Sequence, residues 1–120
     1  MPKCILTVDD DPVVQELVRR TLEKNGYETI AASNGEDALA LLESRKPDLI
    51  LLDVQMPKMD GYAFIIDKSK VPELAQIPII VMTSFKETEP LFKRHGVKAY
   101  ILKPIDINQM MAKVKEAIPA

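Results

Sequence analysis

Three consecutive carboxylates, Asp9, Asp10 and Asp11, close an apolar run in the stretch CILTVDDDP. Like charges this close repel, and ionising all of them is costly unless a cation sits among them. The run therefore either caps a helix or holds a metal. Further chemistry-bearing residues end other apolar runs: Asp53 in LILLD, Thr83 and Ser84 in IIVMTS, and Lys103 in YILKP. A hard dication such as Mg²⁺ takes oxygen ligands and keeps several waters, often with one or two carboxylates and phosphate oxygens. Asp10 and Asp53 are candidates to ligate it directly, with Asp9 holding a metal-bound water. A carboxylate can also attack phosphorus and give an aspartyl phosphate. Transfer of a phosphoryl group needs its charge neutralised on several sides. Lys103 offers a point charge for one oxygen, and the Thr83 hydroxyl a donor for another.

These residues need a scaffold that gathers them, and the hydrophobic pattern supplies one. Short apolar runs alternate with segments of helical period. Strands are predicted at Lys3 to Val8, Tyr27 to Ala31, Asp48 to Leu52, Ile77 to Met82 and Lys98 to Leu102. The third and fourth are apolar almost throughout, as strands of a parallel sheet covered on both faces are. A helix is predicted from Pro12 with Val14, Leu17, Val18 and Leu22 inward, capped by Asp11 and stopped at Asn25-Gly26. A second runs from Gly35 to Arg45, with Ala38, Leu39, Leu41 and Leu42 inward and Ser33 or Asn34 as cap. A third covers Tyr62 to about Lys68. The last spans about Asp106 to Ile118, with Ile107, Met110, Met111, Val114 and Ile118 on one face. Repeated βα units predict a doubly wound parallel α/β sheet, and such sheets bind ligands outside the carboxyl ends of their strands. Asp9, Asp10, Asp53, Thr83 and Lys103 all fall at those ends.

The chain of 120 residues reads as one domain, 1–120. A net charge of −2 gives no basic excess for general nucleic-acid binding. No apolar run approaches the roughly 18 residues of a membrane span, and MPKCILTV lacks the features of a signal peptide. The single cysteine, Cys4, cannot form an internal disulfide and fits a cytoplasmic setting.

Taken together, ILTVDDDP, LLDVQMPKMDG, IIVMTS and YILKP resemble the motifs of the receiver domain of bacterial two-component response regulators. The resemblance covers essentially the whole chain. It implies a flavodoxin-like (βα)5 three-layer sandwich with sheet order 2-1-3-4-5. It implies that Asp53 accepts phosphate from a sensor histidine kinase or a histidine phosphotransfer protein. Asp9, Asp10, Asp53 and the main-chain carbonyl of Gln55 would hold Mg²⁺ or Mn²⁺, directly or through water. Thr83 would swing towards the phosphoryl group, Lys103 would pair with it, and Tyr100 would turn inward as Thr83 moves. The Lys103-Pro104 bond would be cis. The output would be a downstream protein target or a fused output domain, without direct contact to nucleic acid or membrane. The chain is expected to be a signalling switch rather than an enzyme with a diffusing product: it transfers phosphate onto itself and slowly loses it. It ends just after the last helix, as a stand-alone receiver or as part of a longer protein.

The sequence departs from the family in one place. Thr83 and Lys103 stand 20 residues apart, fewer than in most relatives. With Pro90 between them, the helix before the fifth strand is expected to be shortened, shifted or mobile. Phe85, bulky and two residues after Thr83, is expected to hinder water and slow loss of phosphate. Other residues read as structural: Asp60 as turn support, Met56, Met59, Met110 and Met111 as packing, and His95 as a lone surface residue. Two rival functions remain open at this level. Asp9-x-Asp11-x-Val13 is similar to the nucleophile motif of haloacid-dehalogenase phosphatases, although that reading leaves Asp53 without a role. A phosphorylation-independent interaction module with an idle site is the other.

Overall fold

The computed structural model describes residues 3–53, 61–84 and 97–118. Five strands, β1 (Cys4–Val8), β2 (Glu28–Ala32), β3 (Leu49–Asp53), β4 (Ile79–Thr83) and β5 (Val97–Leu102), form one sheet in the order β2-β1-β3-β4-β5. Every pair is parallel. The three central strands are buried along their whole length, whereas the edge strands β2 and β5 are partly exposed. That difference is why LILLD and IIVMT lack the polar alternation that ETIAA and VKAYIL show. The doubly wound fold and its order are as expected.

Successive strand residues face opposite sides of the sheet, so the strands feed two cores. Leu6, Val8, Ile50, Leu52, Ile79 and Val81 pack on one side with the helices α2 (Gly35–Ser44), α3 (Gly61–Ser69) and the short α4 (Pro72–Ala75). Ile5, Leu49, Leu51, Ile80, Met82 and Ile101 pack on the other with α1 (Pro12–Lys24) and α5 (Ile107–Ala117). The caps explain where the helices start. The Asp11 carboxylate accepts from the Val13 and Val14 amides, Asn34 from Asp37, and Asp106 from Gln109. Helix α1 ends at Asn25, and Gly26 then takes a φ of 89°, which costs a residue without Cβ nothing.

The structure corrects four expectations. The second strand is Glu28–Ala32, one residue later than expected. Leu17, expected inward, is 44% exposed. It lies about 100° around the helix from Val18, at the margin of the buried stripe that Val18 and Leu22 define. The third strand runs one residue later than expected and includes Asp53 itself. The fourth likewise includes Thr83. The single-turn helix α4 was not foreseen; Pro72 occupies its first turn, where a missing N–H costs nothing. The Lys103-Pro104 peptide is cis, as the resemblance implies. Gln55, Met56, Met59, Asp60, Phe85, Pro90 and His95, and with them the expectations for the region before the fifth strand, lie outside the described residues.

Candidate functional site

Parallel strands all end at the same edge of the sheet, and four of the five deliver chemistry there. Asp9 follows β1, and its amide bonds the Ala32 carbonyl at the end of β2, 3.1 Å away. Asp53 is the last residue of β3 and Thr83 the last of β4. Lys103 follows β5, and its amide bonds the Thr83 carbonyl at 2.9 Å. This extra rung carries the ladder one residue past the strand and fixes where the lysine side chain begins.

The side chains converge. Lys103 Nζ lies 3.0 Å from Asp9 Oδ2 and 3.1 Å from Asp53 Oδ2. One oxygen from each of Asp9, Asp10 and Asp53 lies within 4.8 Å of the others. Asp9 and Asp53 are 0% and 2% exposed, Thr83 is fully buried, and Asp10 faces solvent. One ammonium against three carboxylates leaves the cluster two negative charges in excess, the charge of one divalent cation. The donor set is all oxygen, which suits Mg²⁺ or Mn²⁺, so the residues present fit such an ion.

The environment shifts two of these groups. Burial raises the Asp9 carboxyl above its ordinary value, against the opposing pull of the Asp11 amide and the Lys103 ammonium. Burial pulls Lys103 down, but its hydrogen bonds to Asp9 and Asp53 outweigh this and hold it above 10.5. An ammonium held that firmly stays charged at neutral pH, the state in which it can meet an anion.

The five strand-end residues expected from the sequence are therefore brought together. Tyr100 sits three residues before Lys103 on the edge strand, partly buried against the α2–α3 core, while Ser84 is exposed. Asp11 serves as the α1 cap, a role that ties it to the helix rather than to the acid/base duty the phosphatase motif would need. Two residues escaped the sequence reading. Gln15 reaches from α1 to the main chain of Asp9, and Lys68 is buried on α3. A polar residue one turn into a helix and a lysine near a helix end are ordinary in sequence, and nothing in their spacing marked them.

A family model for the response regulator receiver domain matches residues 5–115, and the chain belongs to that family. The polar-differentiation response regulator DivK of Brucella anthropi is 38% identical over 117 residues, 96% of this chain and 95% of that protein. The chemotaxis response regulator CheY4 of Vibrio cholerae superposes with a TM-score of 0.92 at 27% identity, covering 98% of this chain and 100% of that one. The response regulator TrrA of Thermotoga maritima, solved in complex with Mg²⁺-BeF, gives a TM-score of 0.86 at 31% identity over 97% of this chain and 99% of that one. Receiver domains are signalling switches that take phosphate from histidine kinases and act on downstream targets. No comparison supports the phosphatase reading.

Proposed function

We propose that Asp53 is the phosphoacceptor and that Asp9 and Asp10 join it in holding Mg²⁺ or Mn²⁺. The observation that carries this reading is the shared ammonium: Lys103 bridges Asp9 and Asp53, which come from strands far apart in sequence, at 3.0 and 3.1 Å. A relative that binds Mg²⁺ together with a beryllium fluoride supports the same assignment.

The chemistry follows from the chain's own groups. A carboxylate oxygen of Asp53 attacks phosphorus, and the bond from phosphorus to the histidine nitrogen of the donor breaks. The donor ring, protonated on its other nitrogen, keeps the electron pair of that bond and leaves as neutral imidazole. A bound dication supplies positive charge against the phosphoryl oxygens. Lys103, already beside Asp53, exchanges its contact with the carboxylate for one with a phosphoryl oxygen. The buried Thr83 hydroxyl lies at the neighbouring strand end and donates to another. Thr83 movement opens space that Tyr100 fills, and the aspartyl phosphate thereby biases an equilibrium between two conformations. The donor is a sensor histidine kinase or histidine phosphotransfer protein of the cytoplasm. The receiver of the signal is a protein target or an attached output domain.

Intact-mass spectrometry after incubation with a small phosphodonor, with and without Mg²⁺, tests this. The wild type is expected to gain one phosphoryl adduct only with Mg²⁺, and Asp53→Asn none. An adduct that persists in Asp53→Asn but needs Asp9 would overturn the assignment.

A further inference from the structure

We propose that Gln15 is a positioning residue for the acidic pair: its side-chain amide holds the peptide group joining Asp9 to Asp10 and thereby sets how tightly the pair binds a divalent cation. The inference rests on the functional reading above and adds a residue to it that touches neither the ion nor the phosphate.

Gln15 Nε2 donates to the Asp9 carbonyl at 2.5 Å and to the Ala32 carbonyl at 2.7 Å. Both acceptors are carbonyl oxygens, so the end of the amide that faces them is the nitrogen. Both of its protons are used. The Ala32 carbonyl accepts the Asp9 amide as well. Asp9 is thus held at its N–H by β2 and at its C=O by α1.

The hydrogen bonds also close on themselves. The Asp9 carboxylate accepts from the Asp11 amide at 2.9 Å. The Asp11 carbonyl accepts from the Gln15 amide at 3.0 Å, the first backbone bond of α1. The Gln15 side chain then returns to the Asp9 carbonyl. The circuit begins and ends on Asp9 and encloses Asp10. Asp10 is solvent-exposed, so packing does not fix its direction. The peptide before it sets where its Cα–Cβ bond starts from, and Gln15 holds that peptide by its carbonyl. Partners hydrogen-bonded to the ligating groups themselves are worth about 10–100-fold in affinity; Gln15 acts one step further back, through the main chain, so the lower end of that range is expected.

Calorimetric titration of Mg²⁺ into the full chain, without phosphodonor, tests the role. Gln15→Met keeps the length and loses the donors. Gln15→Glu also loses them but adds negative charge near the site. Both variants are expected to bind Mg²⁺ about tenfold more weakly. Amide hydrogen exchange at Asp10 and Asp11 is expected to quicken in the metal-free variants. In phosphorylation assays the half-saturating Mg²⁺ concentration should rise while the rate at saturating Mg²⁺ is kept. Affinities within about twofold of wild type in both folded variants would overturn the proposal. So would tighter binding by Gln15→Glu, since charge rather than donation would then govern. A wild type that takes up no Mg²⁺ at all would overturn the functional reading itself, and this inference with it.

Discussion

Asp11 illustrates how neighbouring identical residues divide their labour. Asp9 is buried and shares an ammonium, Asp10 faces solvent within ligand distance of it, and Asp11 caps a helix. The three differ only in where the main chain turns after β1. Replacing Asp11 with Ala removes the acceptor for two helix amides and is expected to cost about 1 kcal/mol, readable by urea denaturation. The phosphoryl adduct should survive that change. A phosphatase using Asp11 as its acid would lose turnover instead, so one variant separates the two chemistries.

Among the elements, the junction of α3 and α4 holds the least expected group. Lys68 is 1% exposed, and among the described residues its polar partner is the Ala75 carbonyl at 3.3 Å. Burial lowers its pKa from 10.5 to about 8. A lysine whose pKa falls on folding carries fewer protons in the folded chain than in the unfolded one. Its contribution to stability therefore rises with pH between about 8 and 10.5 and is lowest below 8. At pH 7 the buried ammonium costs on the order of 3 kcal/mol. Lys68→Met should stabilise the protein at pH 7 by about 2 kcal/mol, the lost Ala75 bond offsetting the rest. The difference from wild type should shrink by pH 10. Denaturation curves at the two pH values check this; a constant difference would show that the charge is not what burial penalises.

At the scale of the whole molecule, the proposed ion site would couple folding to ion binding through the carboxyl edge of the sheet. The folded chain brings Asp9, Asp10 and Asp53 within 4.8 Å, an arrangement no unfolded chain keeps. Each tenfold excess of free Mg²⁺ over its dissociation constant should therefore add about 1.4 kcal/mol of stability. Thermal unfolding across a Mg²⁺ series measures it, and Asp10→Ala should abolish the gain while raising the metal-free midpoint, because it removes one of the two excess negative charges of the cluster. Much of this architecture was legible in the sequence. Strands buried on both faces announce themselves by unbroken apolar runs, and in a parallel sheet the residue ending each run must arrive at the common edge. That logic brings Asp53, Thr83 and Lys103 together without any knowledge of distances. It fails for Gln15 and Lys68, whose roles depend on what a long side chain reaches across another element. It also misplaced Leu17, because helical spacing tells which residues neighbour one another but not how wide the buried stripe is.

The burial of Cys4 has a practical consequence. It is the chain's one cysteine, its side chain is nearly sealed from solvent, and burial raises the pKa of its thiol, so alkylating reagents should meet it slowly. A second cysteine at Lys46, which is exposed between α2 and β3, would then take a dye alone. That position precedes a strand instead of following one, so the label would sit at the amino edge of the sheet. The protein offers itself for single-site fluorescence, with a reporter at one pole that leaves the phosphate-accepting pole untouched.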